Sequence, residues 1–250
     1  MPLPDLTTTQ WAFAALAAFG VGMSKGGLAG VGLFHVLIFA TLFDARESTG
    51  IVLPMLVIGD ALAVLLFRQH ARWDYVRRML PPAILGVLLG TVLMHVLANV
   101  EFRPVIGGIV LLLTLMQLTR IVRPDLFSRV PHSLWFAWSL GLLAGMTTML
   151  ANGAGPIMAL YFLSVSLPKL ELVGTSAWYF LVLNTIKIPF SAGLGLINAG
   201  SLSLNLVLAP MIPLGLLCGR WLVVRIPQKA FDAMLLAFAG FVALRFLGVL

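Results

Sequence analysis

Residues 134–167 read LWFAWSLGLLAGMTTMLANGAGPIMALYFLSVSL, without one Asp, Glu, Lys or Arg. About 20 consecutive apolar residues carry a helix across the hydrocarbon of a bilayer. A second window, residues 188–219, is equally free of charge. Transmembrane β-barrels alternate apolar with polar residues in short strands. These runs are continuous, so they read as helices. The first is interrupted once, at Asn152-Gly153-Ala154-Gly155-Pro156. That interruption inside a charge-free run decides the fold: an all-α integral membrane protein whose backbone breaks at membrane depth.

The rest of the composition agrees. Hydrophobic residues make up 60% of the 250 residues and charged ones 10%, and mean hydropathy is +1.05. A soluble domain is nearer half apolar and a quarter charged. The net charge of +7 does not indicate nucleic acid, because the Arg and Lys residues gather in loops between apolar runs, the positive-inside pattern. The expected partners are the lipid bilayer and a small anion, with pairing into a homodimer left open. Cys218 is the single cysteine, which excludes a disulfide framework and a thiolate metal site. The four histidines are scattered, so no metal and no cofactor is expected. Gly26-Gly27-x-x-Gly30-x-Gly32 is not a phosphate loop, since no Gly-Lys-Ser/Thr follows and no strand precedes it. No hydrolase motif is present, so an enzyme is not expected. Met1–Gln10 holds Asp5 and neither Lys nor Arg. It lacks the basic start of a signal peptide, and the segment from Trp11 is expected to be retained.

Along the chain, one order occurs twice. Trp11–Phe43 is apolar but broken at Ser24-Lys25-Gly26-Gly27 and Gly30-Val31-Gly32. Three cleaner spans follow: about Thr49–Phe67, Leu80–Ala98 and Pro104–Thr119. A basic connector with Arg120, Arg123 and Arg129 ends this half. Leu134–Leu167, broken at Asn152–Pro156, opens the second half, followed by Val173–Phe190, Leu202 to about Leu222, and Phe231–Leu250. An offset of 124 residues aligns Glu47 with Glu171, Gly50 with Gly174, Asp60 with Asn184 and Gly32 with Pro156. An offset of 129 aligns Pro81 with Pro210, Gly86 with Gly215, Gly90 with Gly219 and Phe102 with Phe231. Matched Gly and Pro weigh more than matched Leu, because they mark backbone geometry. The chain reads as one transmembrane domain, residues 1–250, with internal repeats at about 10–122 and 134–250. The Arg68–Arg78 loop, the Arg120–Arg129 connector and the Arg220–Lys229 region are expected to be cytoplasmic, and the neutral Ser191–Ser201 loop outside. The spans of the two halves then run in opposite senses. The fold class is therefore two inverted-topology repeats, each a Gly-broken helical hairpin followed by three transmembrane helices, as in many secondary transporters. Each broken element is about 33 residues, short for two full spans at ~20 each. A re-entrant hairpin with the glycines near its tip fits that length, and two short tilted spans remain the alternative.

Candidate site residues are the polar groups inside apolar runs. An ammonium at bilayer depth is costly unless paired or hydrated. Lys25, beside Ser24, Gly26, Gly27 and Gly30, reads as an anion contact or as a lysine snorkelling to an interface. A helix restarting near Gly153, Gly155 and Pro156, with Asn152 as its cap, would aim free N–H groups at a cavity. The alternative there is small-residue packing between helices. Thr147 and Thr148 could add hydroxyls. Asp60, Asn184 and Lys187 form a substrate or proton pathway, or an ion pair that pins helices. His35 could carry protons or simply pack. Thr175 and Ser176, like Ser48 and Thr49, could line the cavity or cap helices.

Together Gly22-Met23-Ser24-Lys25-Gly26-Gly27, Asn152–Pro156, Gly174-Thr175-Ser176 and the Gly86/Gly90 and Gly215/Gly219 pairs resemble the TauE/SafE sulfite-exporter family, over almost the whole chain. In the first half, Ser48-Thr49-Gly50 stands where that pattern would have a Thr-Ser pair. The resemblance implies export of sulfite or small organosulfonates such as sulfoacetate across a bacterial inner membrane. Lys25, Asn152 and the backbone around Gly27 and Gly155 are then expected to hold the oxyanion. Uptake of another small anion, or a non-transporting membrane scaffold, are the alternatives.

The charge asymmetry of the loops yields a topological prediction. After Cys218 is replaced by Ala, single cysteines at Ser128 and Ala199 should label from opposite sides of the membrane, with Ser128 cytoplasmic. Labelling from the same side would remove the argument for inversion.

Overall fold

The structure, a computed structural model, describes residues 4–28, 31–97, 102–123, 134–165, 167–223, 225 and 244. Gly30, the turn at residues 99–101, the connector at 124–133 with Arg129 and Ser128, Lys229 and the expected last span at 231–250 except residue 244 lie outside the described residues. Ten α-helices occur among the described residues. They are α1 (Thr8–Lys25), α2 (Gly32–Leu42), α3 (Ala45–Phe67), α4 (Trp73–Val96), α5 (Phe102–Val122), α6 (Leu134–Ala151), α7 (Gly155–Ser164), α8 (Lys169–Gly193), α9 (Ala199–Leu208) and α10 (Met211–Val223). Three are long and apolar enough to cross a bilayer: α3 with its following turn, α4 and α6. The outer faces of the bundle are apolar, as lipid requires: Val92 is 62% exposed and Val96 71%.

Each Gly-rich segment breaks its apolar run into two helices that pack on each other, α1 on α2 and α6 on α7. The first break follows from local chemistry. Lys25 is the last helical residue of α1, and Gly26 donates its N–H to Gly22 O and Met23 O at 3.0 and 3.1 Å. Gly27 then adopts φ 112°, which only glycine reaches without strain. In the second half the expected single span at Leu202–Leu222 is instead two helices, α9 and α10, bent by 48°. Pro210 sits at the break and cannot donate to the helical ladder. Its aligned counterpart Pro81 lies inside α4, which stays continuous.

Glycines bring the helices close. A Cβ on Gly86 of α4 would collide with Leu142 O of α6 and lie 2.9 Å from Gly145 Cα. A Cβ on Gly215 of α10 would collide with Phe19 O of α1 and lie 3.1 Å from Met23 N. Small residues let backbones approach in this way where lipid supplies no hydrophobic drive between helices. At the centre, α3 and α8 pack antiparallel. The start of α3 at Gly50 meets Leu196 beyond the end of α8, and Gly174 near the start of α8 meets Phe67 O at the end of α3. Arg72 ties the same end, pairing with Glu171 at 3.2 Å and donating its N–H to Thr175 Oγ1 at 3.0 Å.

The backbone contact at Gly145 makes a stability prediction. Gly145→Leu should separate α4 from α6 and lower stability in detergent by about 3 kcal/mol or more, the scale of overpacking. Gly108→Ala, where an added Cβ meets nothing within 4 Å, should melt at or above wild type. Equal thermal melts for the two variants would contradict the packing described.

Candidate functional site

Four helix ends and the middle of two helices converge on one cavity of about 90 Å³. A buried water occupies roughly 10–15 Å³ on such a measure, so the space suits a few waters or a small ion. The last turn of α1 contributes Ser24 and Lys25, and Gly27 follows in the turn. Gly32, Leu33 and His35 come from the first turn of α2. Thr148, Asn152 and Gly153 come from the end of α6 and its break, and Gly155 and Pro156 from the start of α7. The mid-helix residues are Leu56 and Asp60 of α3 and Ser176, Phe180 and Asn184 of α8. The two Gly-rich breaks thus face one space.

Charge is handled by a connected network. Lys25 Nζ lies 2.6 Å from Asp60 Oδ1, with the two side chains 12% and 0% exposed. The ammonium also sits 4.5 Å from the centroid of the Phe180 ring, within cation–π range. Lys25 therefore does not snorkel to an interface; it turns into the bundle. Asn184 Nδ2 donates to Asp60 Oδ2 at 2.7 Å. Lys187 is buried and donates to Asn152 Oδ1 at 2.6 Å and to Thr148 O at 2.7 Å. Thr148 Oγ1 lies 3.2 Å from the same ammonium and Asn184 Oδ1 3.5 Å. Asn152 Nδ2 donates onward to Thr49 O at 2.9 Å, linking α6 to α3.

Not every expected residue reaches the cavity. Gly26 packs against α10 instead: a Cβ there would lie 2.5 Å from Leu216 O and 2.8 Å from Arg220 N. Thr175 is buried but faces the Arg72 loop, which uses its hydroxyl. Lys187 stands behind the wall, joined to it through Thr148, Asn152 and Asn184. Gly30 is outside the described residues. Asn152 is not the cap of α7. It ends α6 in the left-handed region, φ 50°, with its N–H on Thr148 O at 3.0 Å. Asparagine tolerates that conformation better than other non-glycine residues, and the geometry frees its side chain for Lys187. His35 lines the cavity with both ring nitrogens buried and without a hydrogen-bond partner. Phe180 and Leu56 were not singled out from sequence. The four-residue spacing of Ser176, Phe180 and Asn184 places Phe180 on one helix face with them, and that was the available signal.

The wall also carries a numerical regularity. Residues 124 apart line the cavity in pairs: Ser24 and Thr148, Gly32 and Pro156, His35 and Ala159, Leu56 and Phe180, Asp60 and Asn184. Asp60 and Asn184 are in direct contact.

A buried, charged cavity inside a bundle of bilayer-length helices defines a multi-pass membrane protein with an internal polar site. A family model, Sulfite exporter TauE/SafE, matches residues 14–246, and the chain belongs to that family, whose members are transporters and not enzymes. No curated protein and no solved structure matches the chain.

The double role of Asn152 can be tested. Asn152→Gly relaxes the backbone conformation but removes the bridge between Lys187 and Thr49. It should lower stability by about 1–2 kcal/mol, since buried donors and acceptors are left unpaired. A melt unchanged or raised in Asn152→Gly would mean that only the backbone conformation matters there.

Proposed function

We propose that this protein exports small sulfur oxyanions, sulfite or an organosulfonate such as sulfoacetate, across a bacterial inner membrane. The carrying observation is the pair of ammoniums, Lys25 turned into the bundle and Lys187 buried, held with Asp60, Asn152 and Asn184 around a small cavity between the two Gly-rich breaks. Family membership supports the same substrate class. Oxyanions suit ammonium and amide donors and the free N–H groups at helix starts. Here Gly32 and Gly155 bring two such starts to the cavity. Lys25, Ser24, Gly27, Asn152, Gly153, Gly155, Ser176 and Asn184 are proposed to contact the substrate, with Lys187 supplying a second positive charge from behind.

The proposed mechanism is alternating access between two inverted repeats. Three observations support it: the antiparallel packing of α3 and α8, the cavity pairs at offset 124, and the exchange of contacts by which α1 packs on α10 while α4 packs on α6. Transporters of this architecture bind at the repeat interface and rock one part against the other. An inside-negative potential favours outward movement of an anion by ~2.3 kcal/mol per charge per 100 mV, which argues for export over uptake. Asp60 and His35 are proposed as the groups through which a proton gradient acts.

Counterflow in proteoliposomes against sulfite, sulfoacetate, taurine, sulfate and thiosulfate tests the reading. Lys25→Ala should reach the membrane and lose flux by at least about tenfold, because Asp60 is then a buried carboxylate without its cation. Lys25→Arg should be partly active, since a planar fork does not replace a compact ammonium. Asp60→Asn should keep flux driven by the potential and lose its response to a pH gradient. Unchanged binding and flux in Lys25→Ala would sink the anion-site assignment.

A further inference from the structure

The cavity has a countable charge. Among the described residues, the Lys, Arg, Asp and Glu side chains at or directly behind its wall are Lys25, Asp60 and Lys187. Lys25 and Asp60 offset each other across 2.6 Å. Lys187 has no carboxylate within 4 Å among the described residues. Its neighbours are oxygens of Thr148, Asn152 and Asn184, which accept from the three donors of an ammonium without neutralising it. Among the described residues, His35 has no hydrogen-bond partner and no carboxylate within 4 Å. An imidazolium there would be one more uncompensated buried cation, so His35 counts as neutral. The helix ends do not alter the count. The C-terminal ends of α1 and α6 and the N-terminal starts of α2 and α7 all reach the cavity, and their opposite partial charges cancel. One positive charge remains.

Within the oxyanion reading given above, on which this rests, we propose that Asp60 is a specificity residue that sets the charge class of the substrate. With its carboxylate present, the cavity is balanced by a singly charged oxyanion, and a doubly charged one of the same size leaves a net negative charge buried. Hydrogensulfite and simple alkanesulfonates fall in the favoured class; sulfate does not, and sulfoacetate joins the favoured class only with its carboxyl protonated. The second half of the chain carries the uncharged version of this position: Asn184 stands 124 residues beyond Asp60 and is bonded to it. Asp60→Asn makes the two positions alike and raises the charge of the cavity by one.

Methanesulfonate and sulfate separate charge from shape, because a methyl group in one takes the place of a charged oxygen in the other. Binding of each to the purified full-length protein is measured by calorimetry in detergent, at one pH and one ionic strength. Wild type should bind methanesulfonate at least about 100-fold more tightly than sulfate, the scale of one uncompensated buried charge. Asp60→Asn should bring the two within about tenfold or invert the order, while Asp60→Glu, which keeps the charge, should keep the preference. Wild-type affinities within about threefold of each other would overturn the charge filter and leave the oxyanion site standing. A preference unchanged in an assembled Asp60→Asn would equally overturn the role of Asp60. Binding of neither anion would overturn the oxyanion reading itself, and this inference with it. If Asp60→Asn does not assemble, the wild-type ratio decides.

Discussion

An ammonium and a carboxylate 2.6 Å apart inside an apolar bundle, Lys25 and Asp60, are the constraint around which the rest is organised. Neither charge is tolerable alone at that depth. Their pairing obliges the end of α1 to lie against the middle of α3. The hydrogen bond from Asn184 to Asp60 then brings α8 to the same point. Lys187, three residues further along α8, is satisfied by oxygens at the end of α6. One chain of polar contacts therefore joins α1, α3, α8 and α6, four of the six helices that line the cavity.

Glycine makes that convergence geometrically open. Gly27 turns the chain where α1 must end, and Asn152 does the same for α6 from the left-handed region. Gly86, Gly145, Gly22 and Gly215 let α4 meet α6 and α1 meet α10 at backbone contact. Close packing on the flanks leaves the open space at the centre, where the polar side chains meet. The result is a cavity of about 90 Å³ whose wall is mostly apolar but whose polar groups belong to one network. Such a network is costly when incomplete, which ties the stability of the bundle to the integrity of the site.

Much of this was legible in the residues. Charge-free runs revealed the helices, and their glycine interruptions the two breaks. The offset that aligns Asp60 with Asn184 marked two residues that prove to touch. What could not be read was direction around each helix. Gly26 and Gly27 are adjacent, yet one packs on α10 and the other faces the cavity. Thr175 and Ser176 divide in the same way, toward the Arg72 loop and toward the site. Asn152 was expected to start a helix and instead ends one, because a side chain able to cap is also able to hold φ 50°. The bend at Pro210 was hidden by the continuous apolarity of its run, and the role of Phe180 by the abundance of Phe in a lipid-facing chain.

The central claim is that a sulfur oxyanion binds between the two Gly-rich breaks. Selenite has the shape of sulfite, and its selenium scatters X-rays anomalously. Crystals of the full-length protein soaked in selenite locate the ion directly. The account predicts an anomalous peak in the cavity bounded by Lys25, Asn152 and Phe180. A peak confined to the surface arginines Arg72, Arg77 and Arg78, with the cavity empty, would contradict it.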